Sequence, residues 1–313
     1  MASLSAENGW APRWVYRWAV TTVAATLVLL VLGSVVTTFR VGMADPVWPT
    51  APWHLLLISY DEPKAGFLIE HTHRAAGYLV GCCVIVLAVG LLWARTARWL
   101  KGLGLVALAA VVVQGLLGGF RVRLNALLGP NLAVIHGIFA QVVFSILVSV
   151  AVCTSPRFAS AALPAEDARR LRTPAGLLAG LAAMQLCWGV LLRHLPGPFV
   201  QRAHLVTAFA VVGTAVWLAA TASGRPEARA LLRGPIVLLV GLLAAQVCLG
   251  VEAWLGKFEG VMLPELESVS LAQAVVRTGH VIVGAGILAS CVTVALLVWR
   301  PAALPYPQPE GTP

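Results

Sequence analysis

The chain has 313 residues, of which 59% are hydrophobic and only 11% charged. Soluble domains run at about 45–50% apolar and about 25% charged, so a soluble globular fold is excluded as the starting class. The net charge of +9 comes from 22 Lys and Arg set singly at the ends of apolar runs, a placement that fits loops between membrane spans and not a nucleic-acid surface.

About 20 apolar residues cross the roughly 30 Å of bilayer hydrocarbon, and the apolar runs predict spans at 16–38, 73–94, 101–120, 131–153, 175–193, 203–222, 235–255 and 275–299. The first follows Arg13 and Arg17 and reaches Val36 without a cleavage-site pattern, so it reads as an uncleaved span. Eight spans place both termini on one side. Lys and Arg number 13 on that side and nine on the other, with net charges of +8 and +1, and the positive-inside rule makes the termini cytoplasmic. The six cysteines lie inside or at the edge of apolar runs and have no CxxC spacing, which argues against zinc or a disulfide framework.

Residues 155–174 are the most polar internal stretch, carrying Arg157, Glu166, Asp167, Arg169, Arg170 and Arg172. They read as a cytoplasmic linker between an amino-terminal four-helix half (1–154) and a carboxy-terminal one (175–300). The Pro-rich tail 301–313 reads as disordered. The fold expectation is an all-α polytopic membrane protein of eight transmembrane helices in two pseudo-symmetric four-helix bundles.

The repeat rests on phrases of the form Gln-x-x-x-Gly followed by a span that opens on histidine: Gln114 to Gly118 then His136, Gln185 to Gly189 then His204, Gln246 to Gly250 then His280. With His73, this puts a histidine at the start of each even-numbered span, and all four share one depth near the outer face. Ionisable residues in a span are costly and point to function. Imidazole suits iron, copper or zinc. Zinc wants a third or fourth tight ligand at each pair, whereas a heme iron needs two axial ligands, which facing helices of a bundle can supply.

The residues four beyond each histidine are small (Gly77, Ala140, Ala208 and Gly284), which lets a flat ring lie close to the helix; ordinary helix packing explains them nearly as well. Arg74, Arg121, Arg123, Arg202, Arg277 and Arg193 recur beside the histidines as forked donors suited to heme propionates. Glu70 stands three residues before His73, where a helix brings the two to one face and a carboxylate can serve as acid or base. The equivalent position before His204 is Gln201, so the two sites need not do the same job. His71 is expected to point away from His73, and His54 to sit in a Trp-containing loop; both read as interfacial. His194 reads as lining the outer mouth of a site.

Glu70-His71-Thr72-His73-Arg74, with Gly77 and Gly81, resembles the Glu-x-x-His-Arg signature of the heme A synthase family. The likeness extends along nearly the whole chain, through Gly33 to Thr38, Gly42-Met43-Ala44-Asp45-Pro46-Val47-Trp48-Pro49 and Gln114-Gly115-Leu116-Leu117-Gly118-Gly119-Phe120-Arg121-Val122. The resemblance implies a multi-pass enzyme of the bacterial plasma membrane that oxidises the C8 methyl of heme O to the formyl of heme A by successive hydroxylation, for cytochrome c oxidase biogenesis.

It also implies that Glu70 is catalytic, and that His73, His136, Arg74 and Arg121 bind substrate heme O. Heme b, the cofactor, would then be held by His204 and His280 with Arg202 and Arg277. The partners it implies are the enzyme that makes heme O, cytochrome oxidase assembly factors, an unidentified electron donor and the lipid membrane; nucleic acid is not among them, and homo-oligomerisation is left open. One departure is the absence of a cysteine pair from the first outer loop, about 40–69, which argues against a thiol-based hand-off there.

Competing readings are a di-heme quinol or ferric reductase, a heme-handling chaperone, and an ion or proton transporter. A di-heme relay ordinarily wants hemes near both faces, a chaperone needs no Glu70, and a transporter would show broken helices at the midplane.

Overall fold

The computed structural model describes residues 11–45, 47, 64–160, 163–255 and 269–300. Within them the secondary structure is entirely helical, and eight helices are long and apolar enough to span a bilayer. These are α1 (Arg13–Thr38), α2 (Ala65–Trp93), α3 (Arg98–Arg123), α5 (Pro130–Thr154), α7 (Ala165–His194), α8 (Pro198–Ser223), α9 (Pro226–Leu255) and α10 (Leu271–Trp299). Two short pieces, α4 (Asn125–Leu128) and α6 (Pro156–Ser160), sit in connections. The protein is an all-α, multi-pass membrane protein.

The helices start where backbone chemistry allows. Proline opens α5, α8 and α9, because its missing N–H is one that a first turn leaves unpaired anyway. Gly129, with φ of +52°, makes the left-handed turn into Pro130. Ser270 and Gln273 close a reciprocal capping box on α10, which satisfies two otherwise orphaned N–H groups. Inside the spans, Thr22, Thr26 and Thr214 donate to carbonyls one turn back, as hydroxyls in hydrocarbon must.

The helices run past the expected spans, most of all at the starts of α7, α9 and α2, by ten, nine and eight residues. His73 lies eight residues beyond Ala65 and His280 nine beyond Leu271, about 12–14 Å into their helices at 1.5 Å per residue. Neither opens its span as the hydropathy pattern predicts. The stretch 155–174 is also only in part a connection: α7 begins at Ala165 and carries Pro174 within it, since polar residues at a span's end can extend a helix into the interface without an apolar signal. The expected disordered tail 301–313 and His54 lie outside the described residues.

The order of neighbours is the same in the two halves. Helices α1, α2, α3 and α5 close a ring by successive contacts, and α7, α8, α9 and α10 close another; α1 and α5 meet α10, and α5 also meets α7. One core runs through both rings, with Leu87, Leu91, Leu147, Leu178, Leu218 and Val294 almost fully buried. Phe144, Val148 and Ala285 form a smaller cluster where α5 meets α10. Lipid supplies no hydrophobic drive between helices, so close approach at small residues holds them. A Cβ on Gly104 would come 2.7 Å from Leu91, and one on Gly176 2.5 Å from Trp299.

Polar ties cross the structure at both ends. Arg193 of α7 donates to the Ser34 hydroxyl at 3.0 Å, the Ser34 carbonyl at 2.8 Å and the Thr38 hydroxyl. A guanidinium near the carboxy-terminal end of α1 also answers its dipole. At the opposite end, Arg225 pairs with Asp167 at 2.8 Å and Arg157 donates to the Leu231 carbonyl.

Candidate functional site

The four histidines fall on α2, α5, α8 and α10, which are the diagonal positions of the two rings. Each ring therefore aims two imidazoles at its own axis. A glycine on the preceding helix makes room for each one. A Cβ on Gly33 would lie 2.9 Å from His73 Cε1, on Gly118 3.4 Å from His136 Cε1, on Gly189 3.4 Å from His204 Cε1, and on Gly250 3.2 Å from His280 Cε1.

Three of these cradles add an amide one turn before the glycine. Gln114 Nε2 is 3.3 Å from both ring nitrogens of His136, and Gln185 and Gln246 Nε2 are each 3.3 Å from Nε2 of His204 and His280. The Gln-x-x-x-Gly phrases of the sequence are thus parts of imidazole sockets. The fourth socket, Leu29 to Gly33 on α1, escaped the pattern because leucine stands where the others have glutamine.

In the second half the His204 and His280 rings face one another with centres 6.3 Å apart and planes inclined by 58°. A metal–imidazole bond is about 2.0–2.1 Å and a ring nitrogen lies about 1.2 Å from the ring centre, so two rings ligating one atom from opposite sides have centres about 6.4 Å apart. The pair therefore fits a single two-coordinate axial arrangement. Among the described residues no group of three His, Cys, Asp or Glu side chains is gathered in metal-ligating geometry, as a zinc site needs. A plain His–His axial pair in a helix bundle is the donor set of a heme iron.

The first half carries a different periphery. The helical start at Ala65 puts Glu70 on the same face as His73, as the spacing predicts. Glu70 is 4% exposed; its Oε1 accepts from Arg74 at 2.7 Å and its Oε2 from the Asp45 backbone N–H at 2.8 Å. Asp45, 1% exposed, pairs with Arg74 at 3.1 Å and with His71 Nδ1 at 3.1 Å, and Arg74 also donates to the carbonyls of Asp45 and Val47. Asp45, just beyond α1, is thereby tied down onto α2.

Arg121 packs against Gly42 so closely that a Cβ there would meet its guanidinium, and it lies within electrostatic reach of Glu70, Arg74 and His73. His194 and Arg121 both lie within reach of His136. Beyond His73, Gly77 and Gly81 have no neighbouring atom within 4 Å of where a Cβ would stand. At the matching place after His280, Gly284 is already met by Gln246 and Leu186 at 3.3 Å.

The candidate residues are thus brought together in two groups. Glu70, His73, Arg74, Arg121 and His136 belong to one. His204 and His280 form the other, with Arg202 and Arg277 exposed near the same ends. Two corrections follow. His71 is 5% exposed and held by Asp45 and a stack on Phe67, so it is not an interfacial side chain. Arg74 is turned toward two carboxylates, so it acts first as their clamp.

Asp45 was not singled out as a site residue by sequence, because a lone Asp in a loop looks like solvated charge until the chain is folded; Arg193, read as a forked donor beside the histidines, is instead engaged with Ser34 and Thr38 of α1. Compared with known proteins, the chain matches no family model and no curated protein.

Proposed function

We propose that this protein is a membrane oxidoreductase of the heme A synthase type, working in a bacterial plasma membrane. His204 and His280 would hold a heme b, and His73 and His136 would receive heme O, whose C8 methyl is oxidised to a formyl for cytochrome c oxidase. The observation that carries the reading is the pairing of two diagonal histidine sites of which, among the described residues, only one has a buried carboxylate beside it. The second pair fits a resident heme through its 6.3 Å ring separation, and the first has open space along Gly77 and Gly81.

A bound heme b would supply one-electron transfer. The chain's own residues supply the rest. Glu70 is held by Arg74 and the Asp45 N–H, and so offers a fixed carboxylate to take a proton or to stabilise positive charge that develops at the substituent. Asp45 lies directly against that carboxylate, which is 4% exposed. Both histidine pairs lie toward the same ends of their helices, which speaks against a relay of electrons from one membrane face to the other.

The test is extraction and chromatography of the hemes from the full-length protein made in cells that also make heme O, beside His73→Ala and His204→Ala. Selective loss of heme b in His204→Ala, with heme O and its oxidised products lost in His73→Ala, is the expected result. Heme b alone, equally dependent on both histidines, would overturn the reading in favour of a di-heme reductase.

A further inference from the structure

At the helix ends away from the histidines, two hollows open among arginines. One, of about 470 Å³, lies between α7 and α8 and is lined by Arg170, Trp217, Thr221 and Arg225 with small residues between them. The other, of about 500 Å³, runs along the start of α9 beside Pro226, Arg229, Ala230 and Arg233. The two differ in charge. Arg170 is paired with Glu166 and Arg225 with Asp167, each at 2.8 Å, so the first hollow is close to neutral. Among the described residues no carboxylate pairs with Arg229 or Arg233. These two are exposed and stand one turn apart on one face of α9, while Glu227, two residues before Arg229, falls on another face.

The architecture does not ask for this arrangement. Cations are unfavourable in the opening turns of a helix, where the dipole is positive. Arg157 adds a third guanidinium: it donates to the Leu231 carbonyl, and its Nη1 lies 3.6 Å from where a Cβ on Gly234 would stand. The depth of the cluster is also set. Helix α9 has 30 residues, about 45 Å at 1.5 Å per residue, against about 30 Å of hydrocarbon and about 40–45 Å with the headgroup layers included. Its first two turns therefore lie among headgroups. Further along the same face Val237, Val240 and Gly241 are exposed, and α9 is the least buried of the eight spans.

We propose that the start of α9 is a binding site for an anionic phospholipid, with the phosphate between Arg229 and Arg233 and an acyl chain along Val237 and Gly241. A guanidinium matches a pair of phosphate oxygens with two parallel N–H donors, and basic pockets beside a span at headgroup depth recognise lipid phosphates in this way. The bound phosphate offsets both the mutual repulsion of the three guanidiniums and their conflict with the helix dipole. The charge asymmetry of the sequence assigns this end to the cytoplasmic leaflet. The site lies at the opposite end of the spans from the histidines and is independent of any chemistry there.

The full-length protein in detergent is titrated with phosphatidylglycerol or with phosphatidylcholine of the same acyl chains, and bound lipid is counted by native mass spectrometry. Two arginines are expected to hold phosphatidylglycerol at concentrations about 10- to 30-fold below phosphatidylcholine. Arg229→Gln and Arg233→Gln are each expected to weaken it about fivefold, the worth of one basic side chain beside an anionic lipid. Arg170→Gln, in the neutral hollow, is expected to leave it unchanged, and Arg229→Lys to keep most of it. A photoreactive acyl chain on phosphatidylglycerol is expected to label residues 237–248 of the unaltered protein, a readout that needs no variant to fold. The proposal is overturned by a wild type without preference for phosphatidylglycerol, by Gln variants that bind it as the wild type does, or by labelling confined to other helices. Displacement of the lipid by an equal concentration of glycerol phosphate overturns it in favour of a site for free phosphate esters.

Discussion

Alanine placed at each of the four cradle glycines gives a graded test of the histidine sockets, because the same methyl meets four different clearances. At Gly33 it would lie 2.9 Å from His73 Cε1, against about 3.5–4.0 Å for carbon atoms at rest, so the ring must retreat by about 0.6–1 Å. Overpacking of this kind costs about 1–3 kcal/mol, offset in part by the 0.5–1 kcal/mol or so that alanine gains over glycine inside a helix. Displacement of a reacting or ligating group by close to 1 Å can cost about 10²-fold in rate. At Gly250 the clearance is 3.2 Å, and at Gly118 and Gly189 it is 3.4 Å, so the ring yields by a few tenths of an ångström in the first case and hardly at all in the other two. The expected order of damage is Gly33→Ala well ahead of Gly250→Ala, with Gly118→Ala and Gly189→Ala neutral or mildly stabilising. Thermal unfolding in detergent and heme content per chain measure it. Equal damage at all four positions, or a silent Gly33→Ala, would refute the socket geometry.

Glu70→Gln preserves the shape of the side chain and is expected to keep the fold and bound heme while heme A formation falls by about 10²-fold or more; product chromatography reads this, and normal output would remove Glu70 from the chemistry. Glu70→Ala is a poorer test, since it also strips Arg74 and the Asp45 N–H of a charged partner, worth about 1.5–3 kcal/mol. Asp45→Asn weakens the contacts to Arg74 and His71 by a similar amount and is expected to raise amide exchange and protease cutting at residues 41–47, and protection equal to wild type there would sink the anchoring role. Arg193→Leu leaves Ser34 and Thr38 without their cross-ring donor, and a lowered melting temperature, by about 1–2 kcal/mol of stability, is the expected result.

The eight spans were legible because hydrocarbon demands a long apolar run whatever the tertiary fold. Their ends were not: Glu70, Glu166 and Asp167 lie in helices beyond the apolar runs, where hydropathy falls silent although the backbone still coils. Histidine pairing was legible for a similar reason, since an imidazole in a span stands out against leucine and valine. The cradle glycines were half legible. Three came with a glutamine that drew notice, whereas Gly33 sits among Leu29, Leu30, Val31 and Leu32 and reads as packing. Asp45 could not be read at all from local sequence, because its partners Glu70, His71 and Arg74 are 25 or more residues away and only the fold of the loop joins them.

The buried charges of the first half carry a further argument about purpose. Asp45, Glu70 and Arg74 are withdrawn from water at a cost that such clusters repay only in part, and well-packed apolar residues in place of the whole cluster would serve the architecture as well. The second half closes the same ring of four helices with the same histidine sockets and does so with Gln201 and Leu205 where the first half has Glu70 and Arg74. Gln201 and Leu205 are both exposed, and among the described residues no ion pair stands in their place. The fold therefore does not require the carboxylates. What they add is confined to the neighbourhood of His73, where a fixed negative charge, an answering guanidinium on Arg121 and open space beyond Gly77 meet, and chemistry on a guest molecule is the use that needs all three.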